Sequence, residues 1–350
     1  MRGQDGTMQL DVMTEPGGWT DVQRLAADVE GAGFAGLVFT EMRQPPWLSI
    51  AAAHQAAPNL QLATGVAVAF PRSPMLTAQT AWELAEVTGG RFRLGLGSQV
   101  RAHIERRYGT SFDPPVARLR DYVLAVRACW AAFRGDAPLA YEGRFYRLSL
   151  LPASGLPRRH GFEDLRLDIA AVNDAMVRTA GEVADGVHVH PLHSVEYLRG
   201  KLRPALAEGT VRAGRDVDDV GLMIPVLIAP GDTAEERAPL IQRCRTQIAF
   251  YGSTRNYAFQ FDDLGFEGTS ARLNERQKAG DVPGMAELIT DEMLEHFAVI
   301  GRWDAIADAL RARYGDLAER LIAYTAADGI RRDPSSIGRW AEVARAVSVA

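Results

Sequence analysis

The chain has 350 residues, 47% of them hydrophobic and 24% charged, with a formal charge of −5, the composition of a soluble globular protein. Scattered charges and a pI of about 5.9 exclude the basic face that nucleic-acid binding needs, and no apolar run approaches the ~18 residues of a membrane span. Such a length buries a large core without disulfide or metal, and admits up to three domains or one barrel.

The opening MRGQDGTMQLD lacks the apolar core and cleavage site of a signal peptide. Residues 1–7 are therefore expected to be a disordered extension, ahead of a single domain over 8–350 in the cytoplasm. Cys129 and Cys244 lie far apart, without CxxC or Cys/His spacing, and read as buried thiols.

Short β-rich runs alternate with helix-periodic stretches along the whole chain. The first run, Gln9–Thr14, precedes Thr20-Asp-Val-Gln23, a capping box opening a helix with Val22, Leu25, Ala26 and Val29 on one face. Strands two and three are predicted over Gly36–Glu41 and Leu60–Ala69, with a short helix over Trp47–Ala57 between them. Pro74 starts a helix that Gly89 and Gly90 end. Arg91–Gly97 is strand four, and Val116–Phe133 its helix; residues 136–164, rich in Pro, Gly and Arg, read as an irregular excursion. Strand five, Leu167–Val172, leads into a helix carrying Met176, Val177, Ala180 and Val183, and strand six, Gly186–His190, into one that Ser194 can cap. Strand seven is Gly221–Ala229, followed by a second capping box, Asp232-Thr-Ala-Glu235. An insert over 231–300, with a helix-like stretch at Pro283–Ile300, separates it from strand eight at Arg320–Thr325 and a closing helix near Ser336–Val349.

Eight strands alternating with helices predict a parallel sheet closed as a (β/α)8 TIM barrel. A doubly wound sheet needs a nucleotide fingerprint after its first strand, and none is there. Gly95-Leu-Gly97 lacks the third glycine, since Val100 stands in its place. The connection from strand seven to strand eight far exceeds the usual ~2–6 residues, so its insert reads equally as a lid or pocket wall and as an oligomer contact.

In a barrel the chemistry sits at the C-terminal strand ends. There the sequence offers Thr14, Glu15, Thr40, Glu41, Thr64, Ser98, Gln99, Asn173, Asp174 and Tyr324 among apolar neighbours, a mouth suited to a planar organic ligand. His188-x-His190-x-x-His193 has metal-like spacing, and residues two apart on a strand face one side. No carboxylate clusters beside these histidines in the sequence, and no metal is expected. Glu41 reads as a hydrogen-bonding or general acid–base carboxylate, or as an ordinary helix-start acid. Asn173 and Asp174 read as a helix N-cap, at a terminus that can also hold a phosphate if the Asp174 carboxylate points away. Arg101, His103, Glu105, Arg106 and Arg107 read as a solvated helical face. There is no GxSxG nucleophile motif.

Three segments together resemble the luciferase-like flavin and deazaflavin oxidoreductases: Leu62–Val68 with Pro71–Pro74, Thr88–Gly109, and Ala180–Val187. Ile248–Thr254 and Ile289–Glu292 look like the subfamily that uses coenzyme F420. The resemblance covers nearly the whole chain. It implies a TIM barrel with the deazaflavin across its C-terminal mouth, and a non-prolyl cis peptide that falls here at Gly65-Val66. Thr64, Gly65, Val66, Gly97, Ser98, Gln99, Asn173 and Asp174 are then the expected cofactor contacts, and His190 and His193 the substrate contacts. Glu41 and His103 become the candidates for proton delivery. The sugar-phosphate dehydrogenase branch has an Asp-His pair after strand two, where Glu41-Met42 stands here. The implied activity is hydride transfer between C5 of coenzyme F420 and a small organic substrate, in a homodimer. An FMN-dependent monooxygenase and a non-catalytic cofactor-binding barrel are the alternatives.

Overall fold

The computed structural model describes residues 8–348, so the expected extension over 1–7 and the end of the closing helix at Val349 lie outside the described residues. Eight strands close a parallel barrel: Gln9–Thr14, Gly36–Phe39, Gln61–Thr64, Phe92–Gly97, Arg166–Ala170, Gly186–His188, Gly221–Pro230 and Arg320–Ala323. Each pairs with the next, and the last closes on the first through Gln9 opposite Arg320 to Val12 opposite Ala323. Outward side chains such as Leu10, Val12, Leu37, Phe39, Leu94 and Leu96 pack on the surrounding helices in the main core. The TIM barrel expected from the strand–helix alternation is the observed fold.

Local signals translate unevenly. Ser73 caps the helix Pro74–Val87 through Leu76 N–H, and Asn173 and Ser194 cap theirs through Met176 N–H and Tyr197 N–H. The box at Thr20 does not form, because the helix Trp19–Gly31 already begins one residue earlier, with Gly18 at its cap. The second box shifts by one residue: Thr233 accepts from Glu236 N–H, while Glu236 reaches back to Asp232 N–H. Strands two, three, five, six and eight stop short of their predicted ends, where the backbone turns into the mouth loops. The excursion at 136–164 contains a short hairpin, Tyr141–Glu142 against Arg147–Leu148. Pro283–Ile300 is not one helix. It divides into Val282–Glu287 and Asp291–Phe297, then a strand Ala298–Gly301 that pairs with the upper half of strand seven. The insert has its own apolar core, in which Ile248, Phe261, Leu273, Met293 and Phe297 surround Leu227 and Ala229. Cys129 and Cys244 are buried and unbridged, and burial pushes both thiols up to about 12.

The barrel interior is layered. Near its N-terminal end lies a buried ionic layer. Arg93 donates from Nη2 to Asp168 Oδ1 (2.9 Å) and from Nη1 to Glu319 Oε1 (2.6 Å), and its Nε also bonds Asp168. Arg320 donates from Nε to Asp11 Oδ2 at 2.6 Å, and Arg166 adds a second cation at Glu319 Oε2. Glycine at 186 makes room, since a Cβ there would stand 2.4 Å from Asp168 Oδ1 and 2.6 Å from Arg93 Nη2. Above this layer sits an apolar plug of Met13, Val38, Ala63, Met223 and Ile322, which Tyr324 caps.

Burial alone would raise the Asp168 carboxyl, but Arg93 and His188 outweigh it and hold it well below the usual range. A native carboxyl that ionises more readily than the unfolded one (~3.9) gives stability that is complete above that value and lost as pH falls below it. Asp168→Asn is therefore expected to cost about 3–5 kcal/mol in urea unfolding at pH 7, by leaving Arg93 short of a counter-charge. The gap to the unsubstituted protein should narrow below about pH 4; an unchanged unfolding midpoint at pH 7 contradicts this.

Candidate active site

The C-terminal mouth has two unlike sides. On the side of strands three and four, the chain from Leu62 to Phe70 is buried except at Gly65 and Val66, which are half-exposed. The Gly65–Val66 peptide is cis, at the position that the resemblance gives. It interrupts strand three, which resumes as Ala67–Val68 against Leu96 and Gly97. Space underneath is tight: a Cβ on Gly95 would lie 2.1 Å from Thr64 O and 2.7 Å from His188 Nε2. Gly97 leaves room for the Val66 side chain, since a Cβ there would be 2.6 Å from Val66 Cγ2. The result is a flat, nearly featureless floor. Ser98 and Gln99 follow at its edge, half-buried, and Gln99 is the one non-glycine residue with positive φ (56°) among the described residues. A backbone held there marks a position fixed by its surroundings.

Several expected site residues are already committed to structure. The Thr64 hydroxyl donates to Gly95 O (2.7 Å) and accepts from Gly95 N–H (2.8 Å), which makes it a cross-strand clamp. Glu41 is buried, with Oε2 accepting from Val68 N–H (2.8 Å) and both oxygens gripped by Arg72 (2.6 and 2.8 Å). Arg72 also donates to Val68 O and lies over the Trp47 ring. In this geometry both Glu41 oxygens are committed to holding the strand-three bulge. His103 is exposed on the helix Arg101–Arg106, lining a surface cavity of about 310 Å³ with Ala102, Arg106 and Arg107. Asn173 Oδ1 is occupied by Met176 N–H, while the exposed Asp174 carboxylate lies 3.8 Å from Arg178. The helix start is thus left to neutral backbone donors.

The three histidines diverge, and no cluster of three metal-ligating side chains occurs among the described residues. His188 points into the barrel, its Nε2 3.5 Å from Asp168 Oδ2. His193 is buried, its Nδ1 2.9 Å from His190 O and its ring against Tyr314, and burial pushes it down to about 4. That placement removes His193 from the mouth, because the loop after strand six turns it back toward the helix Trp303–Tyr314. His190 stays at the opening. Its ring sits between Tyr251 (4.6 Å) and Tyr257 (4.3 Å), and Tyr251 Oη lies 2.5 Å from Tyr324 Oη. Tyr251 and Tyr257, both from the insert read as pocket wall or oligomer contact, are functional candidates that the sequence did not single out.

The barrel matches a known family. A family model described as Luciferase-like monooxygenase matches residues 6–320. The chain belongs to this family. Within the luciferase-like proteins, it is 38% identical over 297 residues to an uncharacterized protein of Mycobacterium tuberculosis, covering 85% of this chain and 87% of the relative. It is 27% identical over 264 residues to a putative coenzyme F420-dependent oxidoreductase of the same organism, covering 71% and 74%. The fold superimposes on the coenzyme F420-dependent tetrahydromethanopterin reductase of Methanopyrus kandleri with a TM-score of 0.80, covering 98% of this chain and 100% of that one at 18% identity.

Desolvation between the two tyrosine rings pushes His190 down to about 3, so the imidazole is neutral at working pH. The His190 ring signals in an NMR titration are expected to show no inflection between about pH 5 and pH 8. A midpoint near ~6.5, the value of an unperturbed histidine, contradicts the enclosure described here.

Proposed function

We propose that this luciferase-like barrel is a coenzyme F420-dependent oxidoreductase acting on a small organic substrate. The observation that carries the reading is the floor. In an otherwise buried stretch of strand three, Gly65 and Val66 alone open to the mouth, and no side chain rises from Gly65 or Gly97 to interrupt a planar ring. Bound coenzyme F420 supplies a hydride donor or acceptor at C5 of its deazaflavin, the chemistry that amino-acid side chains lack. Gly65, Val66, Gly97, Ser98 and Gln99 would hold the ring, and the Asn173 helix start the phosphate side. The exposed group His103, Arg106 and Arg107 suits the anionic outer end of the coenzyme better than proton delivery. The Glu41–Arg72 pair holds the bulge in shape through Val68. Similarity to a putative F420-dependent oxidoreductase supports the cofactor, and the homodimer is part of the same proposal.

The test is a parallel titration of the purified protein with coenzyme F420 and FMN, followed by cofactor fluorescence. Saturable F420 binding is expected, weakened several-fold when Arg106 and Arg107 are both replaced by Ala, with the loss shrinking at high salt. Saturable FMN binding with none of F420 overturns the cofactor assignment.

A further inference from the structure

The structure assigns the other side of the mouth, the wall of His190, Tyr251 and Tyr324, to an uncharged organic molecule bearing a carbonyl or hydroxyl oxygen. This deepens the proposed function and rests on it for the molecule's role as substrate, although binding to the wall is measurable by itself.

The wall presents donors in fixed directions. His190 Nδ1 accepts from Leu192 N–H at 3.1 Å, so the proton of the neutral ring sits on Nε2. That nitrogen makes no hydrogen bond among the described residues, and the rings of Tyr251 and Tyr257 fix its direction. In the Tyr251–Tyr324 pair one hydroxyl donates to the other, which keeps its own proton for a further acceptor. Burial raises all three phenols, Tyr251, Tyr257 and Tyr324, so they remain protonated. His190 and the three tyrosines are half-buried, so each side chain keeps some accessible surface. Beneath Tyr324 lies the apolar plug, which offers hydrocarbon contact and no polar partner.

Three arginines near the mouth are held by partners. Arg72 is bound by Glu41, Arg243 by Asp328, and Arg331 by Asp328 and the Thr14 hydroxyl. The charged side chains that act on Tyr324 are Arg243 and Glu15, and Glu15 is exposed and makes no ion pair among the described residues. A phosphate or carboxylate brought against Tyr324 would lose water, meet an Arg243 already bound by Asp328, and face Glu15. An oxygen acceptor on a neutral, mostly apolar body meets both donors and the plug. Sites that hydrogen-bond an oxygen in this way discriminate strongly, because their own polar groups are left unpaired by the wrong ligand.

The test uses three six-membered rings that differ in charge: cyclohexanone, cyclohexanecarboxylate and cyclohexylamine, titrated into the whole protein by ligand-observed NMR, with and without coenzyme F420. Cyclohexanone is expected to bind saturably and the two ions at least roughly tenfold more weakly. Tyr251→Phe and His190→Leu should each weaken cyclohexanone roughly five- to tenfold, and His190→Gln, which keeps an N–H near the Nε2 position, should recover most of that loss. Either ion binding as tightly as the ketone overturns the assignment. So does ketone binding that is absent in both cofactor states, or indifferent to all three substitutions. Failure of coenzyme F420 to bind instead overturns the proposed function and leaves the ranking of the three rings readable in the protein alone.

Discussion

Arg93 and Arg320 are buried near the narrow end of the barrel, and neither guanidinium could stay there without counter-charge. Asp168, Glu319 and Asp11 supply it from strand five, the start of strand eight and strand one, so the ionic layer ties distant strands into one register. Strand five facing strand six through Asp168 and Gly186 is the same constraint in another form, because the carboxylate fills the space that a side chain at 186 would need. Once the register is set, Met13, Val38, Ala63, Met223 and Ile322 meet in a single plug, and everything functional is pushed above it to the mouth.

The mouth then divides by chemistry. Strands three and four give a flat floor of backbone and small side chains, braced from outside by Glu41 and Arg72. Strands six and eight, with the insert, give a wall of neutral donors over an apolar base. A cofactor with a planar ring suits the first, and a small neutral molecule the second. The insert is what makes the second side, since Tyr251 and Tyr257 lie on it and its own core anchors it to the upper half of strand seven. A segment packed in this way is held beside the mouth.

The alternation of strands and helices was legible in the sequence because each strand is short and apolar and each helix periodic. The cis peptide was legible through the resemblance, from the Gly65-Val66 pair itself. Other features were hidden for physical reasons. Glu41, Thr64 and His193 are polar residues near strand ends, as catalytic residues also are, and only their distances to Arg72, Gly95 and Tyr314 show that they serve the scaffold. Asp11, Arg93, Asp168 and Arg320 are charged residues in otherwise apolar strands, and nothing local in the sequence shows that they meet. Their pairing was not visible, since Asp11 and Arg320 are 309 residues apart. Tyr251 lies in a segment that the resemblance marks, but neither it nor Tyr257 was legible as part of a wall, because periodicity places a tyrosine on a helix face without saying what that face meets.

The central claim is the division of the mouth, and amide hydrogen exchange read segment by segment tests it most directly. Coenzyme F420 is predicted to slow exchange around residues 64–68 and 97–99 while leaving 248–258 unchanged, and cyclohexanone added afterwards to slow exchange at 248–258. Protection of 248–258 by coenzyme F420 alone, with 64–68 and 97–99 unaffected, would contradict the account.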